Sequence, residues 1–528
     1  MKLLKHLLFV TLLAPTATEA QVLNPMDFKF YIDAFNQHDN ELYRQAIPNS
    51  EAWAFIQENI PFFECPDKQL EQTYYFRWWT YRKHIKHTPD GYIITEFLPE
   101  VPWAGKYNSI SCPAAHHFYE GRWLRNAQYL RDYAKFWFSG GGSPRLYSFW
   151  AADAIHAFTK VHPDGEFLAQ MLPLLETNFR EWENSHLDTN GLFWQSDNRD
   201  GMEVSISGIQ SNNMEGYRAT INSYMYGDAK ALSEIASRLG KQAISERFAT
   251  KAFQLKSKLL NLLWDEEAAF FKVIPRGSSA LEKTDVRELH GYTPWYFSIP
   301  ENRHSIAWAQ LMDRAGFWAP YGPTTAEQRH PDFKVAYDGH ECQWNGPSWP
   351  FATSITLKAM ANLLHGYQQQ VVNKRDYLEV LLTYARSHQR IDEDGNTISW
   401  IDENLNPYTG DWIARTRLKN WSEGSWPAGK GGVERGKDYN HSSFCDLVIS
   451  GLIGLCAEES DTLVIDPLLP NDTWDYFCLD YIPYRGKSLT LLYDRTGMKY
   501  GKGKGFRVFV NGILRSEADQ LQKLTIEL

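Results

Sequence analysis

A chain of 528 residues with a formal net charge of −10 is too long for one small core, and its lack of a basic tract excludes nucleic acid and anionic membrane surfaces as partners. Its six cysteines (Cys65, Cys112, Cys342, Cys445, Cys456, Cys478) include no C-x-x-C pair; they make neither a zinc site nor a disulfide scaffold, though they leave room for one or two bridges in an oxidising compartment. The 20 Trp, 28 Tyr and 29 Phe suit stacking against the C–H face of a sugar, and equally suit a large helical core.

The chain opens with a basic Met1–His6 run, a short apolar stretch from Leu7 to Ala14, and Thr18-Glu19-Ala20 before Gln21. That pattern predicts a signal peptide over residues 1–20 and an exported protein, periplasmic or secreted; the apolar run is far short of the roughly 20 residues of a spanning helix. Residues 21–120 form an aromatic-rich region, with a helix expected around Glu71–Trp79 and a strand around Gly91–Phe97.

From 121 to 460 the texture is helical. Apolar residues recur at three- and four-residue spacing over 150–161, 167–185, 214–239, 243–265, 303–315, 348–366 and 374–389, with stops at Gly240 and Gly316 and a start near Pro347. About a dozen helices without a short fixed repeat fit a toroid of helical hairpins better than a bundle or a solenoid. From 461 to 528, runs such as Leu463–Ile465, Ser488–Tyr493 and Phe506–Val510 predict a small β domain.

Three loop segments carry candidate chemistry. Asp197-Asn198-Arg199-Asp200-Gly201-Met202-Glu203 sets three acids and an Arg beside small residues, and a carboxyl between Met202 and Val204 suits a general acid of raised pKa. The plain alternative is a solvated surface loop. Trp400-Ile401-Asp402-Glu403-Asn404 delivers a second acid. Asp392, Asp394, Asn396 and Glu403 also fall at the ligand spacing of a calcium loop, yet Thr397 stands where that loop requires glycine. In Gln343-Trp344-Asn345-Gly346-Pro347-Ser348-Trp349, two tryptophans and two amides lie near a helix start; the preceding His340 and Glu341 lack zinc-ligand spacing.

Taken in order, these stretches resemble the (α/α)₆-barrel glycosidases of glycoside hydrolase family 63 and their mannosylglycerate-hydrolase-like (MGH1-like) relatives. The match lies in Gly201-Met202-Glu203 at the family's Gly-x-Asp acid motif, in Trp344-Asn345-Gly346-Pro347-Ser348-Trp349, in Glu403-Asn404-Leu405-Asn406-Pro407-Tyr408-Thr409-Gly410 at its general base, and in Tyr439–Ser443. The resemblance covers residues 140–515 and implies an all-α (α/α)₆ six-hairpin toroid with a C-terminal β appendage. It also implies an inverting hydrolase with Glu203 as acid and Glu403 as base. One departure stands out: the family usually has Asp where this chain has Glu203, which makes Asp200 the second candidate for the acid.

The expected substrate is a carbohydrate, an α-glucoside or α-mannoside by resemblance, attacked in exo fashion. The Glu203 exchange leaves room for β-L-arabinofuranosides or other plant side-chain sugars. Trp150, Trp344, Trp349 and Trp400 are the expected pocket wall, with Arg218, Gln343, Asn345 and His441 binding substrate. No metal or organic cofactor is required beyond the calcium alternative. Competing readings are a glycoside phosphorylase, which would lack the base; a polysaccharide lyase using Tyr439 or His441; and a non-enzymatic sugar-binding protein.

Overall fold

The computed structural model describes residues 22–335, 342–392, 394–413 and 435–528. The expected signal peptide, and His340 and Glu341, lie outside the described residues. One continuous apolar core runs from Leu23 to Ile526.

Helices dominate the first three quarters of the chain: α1 (Lys29–Gln37), α2 (Ala52–Asn59), α3 (Lys68–His84), α4 (Ala114–Gly121), α5 (Gln128–Ser139), α6 (Ala151–Val161), α7 (Gly165–His186), α8 (Ala219–Arg238), α9 (Gln242–Leu263), α10 (Pro350–Gly366) and α11 (Lys374–Ser387). Their ends follow local chemistry. Asp67 caps α3 through Leu70 N–H, Asp164 caps α7 through Phe167 N–H, and Asn373 and Asp376 form a capping box on α11. Pro350 occupies the first turn of α10, where its missing N–H is no loss. Gly240, in the left-handed region at φ +68°, ends α8. Helix α3 carries aromatics around its whole circumference because it is buried on nearly every side, from Leu70 to His84. Among the described residues, no helix is long and apolar enough to cross a membrane.

Helix–helix packing links α4 to α6, α6 to α8, α8 to α9, α10 to α11, and α11 back to α3. Helix α3 thus packs directly against one of the later helices. The segment expected to be helical over 303–315 is a 3-10 helix, Asn302–Gln310. Over such a short stretch, apolar spacing does not distinguish the two helix types.

The C-terminal region forms an antiparallel sheet, and its edge strand comes from the other end of the chain. Strand β1 (Phe62–Glu64) pairs with β2 (Tyr476–Tyr484), followed by β3 (Lys487–Asp494), β4 (Gly505–Val510) and β5 (Ile513–Ala518). Asp480 strengthens this stitch: its Oδ2 accepts the backbone N–H of Val22 and Leu23 at 2.8 and 3.0 Å. All six cysteines are free thiols, and Cys65, Cys112, Cys445 and Cys478 are buried.

Candidate active site

The first acid segment folds around a buried carboxylate. A single helical turn, Asp197–Asp200, ends at Gly201 in the left-handed region, φ +72°. The Asp197 carboxylate then gathers the returning chain, accepting from Ser205 N–H at 3.2 Å and Ser205 Oγ at 2.9 Å, and pairing with Arg218 at the start of α8. Asp200 is fixed by the hydroxyl of Thr220. Both aspartates are turned into the protein, and Glu203, half-buried, is the acid of this loop that faces the cavity. Gly201 has a second reason to be glycine: a Cβ there would lie 2.5 Å from Cys112 Sγ. Val204, with φ +59°, sits where a β-branched residue is strained, beside the acid.

The second acid is delivered by the chain leaving the hairpin Gln389–Ile391/Thr397–Ser399. At its tip Asp392 Oδ1 accepts the N–H groups of Asp394 and Asn396 at 3.0 and 2.8 Å, so this carboxylate closes the turn. Leu405 bridges to Ser348 in both directions at 3.0 Å, locking the Glu403 segment beside the start of α10. Buried Glu403 accepts from Arg435 Nη2 at 2.8 Å on one oxygen and from the Cys342 thiol at 3.3 Å on the other. Its backbone carbonyl accepts from His441 Nε2–H at 3.1 Å. Burial drives the His441 pKa well below its usual value, so the ring is neutral.

The third segment supplies the aromatic wall. Trp344 and Trp349 stack at 4.5 Å and 19°, and Trp349 Nε1 donates to the Gln343 carbonyl at 2.8 Å. Gly346 is required because a Cβ would meet the Lys334 carbonyl at 2.3 Å. Trp344 N–H donates to the Glu203 carbonyl at 3.2 Å, which ties the wall to the first acid loop.

These segments enclose a cavity of about 210 Å³ lined by Glu203, Glu403, Trp344, Trp349 and His441, together with Glu96, Trp103, Cys112, Tyr147, Arg435 and Tyr439. It is smaller than the roughly 300–1,000 Å³ pockets that enclose drug-sized ligands. Burial in this carboxyl-rich space, reinforced by Glu403, Asp197 and Glu96, pushes the Glu203 pKa up to about 8.

The remaining expected substrate residues are elsewhere. Trp150 is fully buried between His116, Tyr224 and Tyr296, a core position. Arg218 is fully buried and committed to Asp197. Gln343 and Asn345 are buried beside the wall and offer their carbonyls to Trp349 and Lys334. Trp400 lines a second, smaller cavity with Trp79, Asp39 and Lys437, its face covered by the Arg390 guanidinium at 4.2 Å. Glu96, Trp103 and Tyr147 also line the cavity, although they sit in no recognisable sequence motif. Arg435, directly after Val433-Glu434, is equally unmarked.

Comparison with known proteins matches the chain over residues 106–442 to the mannosylglycerate hydrolase MGH1-like glycoside hydrolase domain. Residues 458–513 match the C-terminal domain of glycosyl hydrolase family 65. A solved structure described as a sialidase is 43% identical, covering 96% of this chain and 45% of that one, with a TM-score of 0.87. A family 78 rhamnosidase from Bacillus sp. GL1 shares the fold at 12% identity and TM-score 0.55, over 85% of this chain and 41% of that one. An uncharacterized protein of Borreliella burgdorferi is 24% identical over 178 residues, 33% of this chain and 35% of its own length. The chain spans less than half the length of each of these relatives.

Proposed function

The chain belongs to the mannosylglycerate hydrolase MGH1-like glycoside hydrolases, and from that premise we propose that it is an inverting glycoside hydrolase built on a six-hairpin (α/α)₆ toroid. The observation that carries this reading is the pairing of two unlike carboxyls in one aromatic-walled cavity: Glu203, which holds its proton to about pH 8, and Glu403, ion-paired to Arg435. Glu203 donates its proton to the glycosidic oxygen as the bond to the anomeric carbon breaks. Water attacks that carbon from the opposite face while Glu403 takes one of its protons. The products are an alcohol and a free sugar of inverted anomeric configuration, and a proton returning from Glu403 to Glu203 through solvent resets the site. Such a pair stands roughly 6.5–9.5 Å apart to admit the water.

The stacked Trp344–Trp349 wall suits the apolar face of a sugar ring, and the small cavity favours removal of a single terminal residue. No step calls for a metal or organic cofactor. A phosphorylase needs no base carboxylate, so Glu403 in the cavity favours hydrolysis. The sialidase name belongs to a protein of which this chain spans 45%, and it is not carried over. Export rests on residues 1–20; sequencing of the mature N-terminus, expected at Gln21, tests it.

The test is release of sugar from an oligosaccharide panel by wild type, Glu203→Gln and Glu403→Gln, with the product anomer followed by NMR. Cleavage by wild type alone, with inversion, is expected. Undiminished cleavage by both variants, or retention of configuration, would overturn the assignment.

A further inference from the structure

A third carboxyl enters the cavity from outside the family-matched region. Glu96 follows the strand Gly91–Ile94, and its backbone is clamped on both sides by one residue: Asn440 Nδ2 donates to the Thr95 carbonyl at 3.2 Å, and Asn440 N–H donates to the Glu96 carbonyl at 3.1 Å. With the backbone fixed, the side chain projects into the cavity, where it is 6% exposed. Its Oε1 accepts from the Tyr439 hydroxyl. Its Oε2 accepts no hydrogen bond from any described residue, although a carboxyl has about four lone-pair positions to fill. No Lys or Arg bonds it: Arg435, the cation of the cavity wall, is bonded to Glu403 and covered by Phe97 and Trp103 at 5.8 and 5.6 Å. Burial pushes its carboxyl up to about 8 even with Arg435 near; braced on one oxygen and open on the other, it has room for a hydroxyl donated by a ligand.

We propose that Glu96, braced by Tyr439, binds a hydroxyl of the sugar held in the cavity. This rests on the reading of the cavity as a glycosidase pocket. A hydroxyl donates to Oε2 and completes the coordination that the protein leaves open.

The experiment is isothermal titration calorimetry on the full chain with glucose, mannose, L-arabinose and L-rhamnose. Wild type is expected to bind at least one of these sugars. Glu96→Gln should weaken that sugar about 10-fold and Glu96→Ala about 100-fold, with thermal melts confirming that both variants fold. Tyr439→Phe, which keeps the carboxyl and removes its brace, should fall between wild type and Glu96→Ala. Unchanged affinity in both Glu96 variants, or no sugar bound by wild type, would each overturn the proposal. Glu403→Gln separates the two readings: it should turn nothing over, whatever its affinity for sugar. Turnover by that variant counts against the catalytic pair and leaves the Glu96 result standing.

Discussion

Replacing Glu203 by Gln should stabilise the fold at neutral pH while removing turnover. In the unfolded chain this carboxyl ionises near 4.5, and in the folded protein burial pushes that up to about 8. Between those values the folded state holds a proton that the unfolded state has released, so this residue's contribution to stability falls as pH rises through the window. It is neutral below 4.5 and fully unfavourable above 8. At about 1.4 kcal/mol per pH unit, the penalty reaches roughly 3 kcal/mol at pH 7 as a ceiling, since Glu203 is only half-buried. Glutamine carries no such penalty. A chain of this length unfolds with an entropy of about 1 kcal/mol/K, so Glu203→Gln should raise Tm by about 1–3 °C at pH 7 and leave it unchanged near pH 4.5. Scanning calorimetry of both proteins across pH 4.5–8 measures the difference, in which the other carboxyls cancel. A Tm gap that does not vary with pH, or one of opposite sign, would refute the picture of a desolvated acid.

The kcat/KM of wild type should fall tenfold per pH unit above about pH 8 as Glu203 loses its proton, and a dinitrophenyl glycoside, whose leaving group needs no proton, should restore turnover to Glu203→Gln. Gly201→Ala should destabilise by about 2–4 kcal/mol, from its positive φ and from the clash with Cys112 Sγ, and in a Cys112→Ala background the loss should shrink to about 1 kcal/mol, read from denaturation midpoints. Arg218→Met leaves Asp197 buried without its partner and should cost about 3–5 kcal/mol; unchanged stability with a raised KM would return Arg218 to the substrate.

The long helices were legible because each is periodic over three or more turns and marked at its ends, as Gly240 marks α8 and Pro350 marks α10. Strand β2 was not: Asp480 and Pro483 interrupt its apolar run, and Asp480 makes sense only once Val22 and Leu23 are seen to bond to it. Strand β1 has three residues and no pattern of its own. At the site, Glu203, Glu403, Trp344, Trp349 and His441 could be read because loop motifs keep each near its partners in sequence. Glu96 and Trp103 reach the cavity through tertiary packing alone. Trp150 and Arg218 were drawn to the site because a buried aromatic and a buried arginine look the same in sequence whether they face a ligand or hold up the residues that do.

The pairing of β1 with β2 also sets a clock on synthesis. Phe62 leaves the ribosome more than 400 residues before its partner Asp480. At roughly 5–20 residues per second, the edge strand and the Val22–Leu23 anchor wait about 20–80 s for the strand that will receive them. Contacts of such sequence separation form late and slowly. That closure therefore waits for the strand Tyr476–Tyr484, and a nascent chain arrested before residue 476 should remain open to proteases around Phe62 however well its helices have formed.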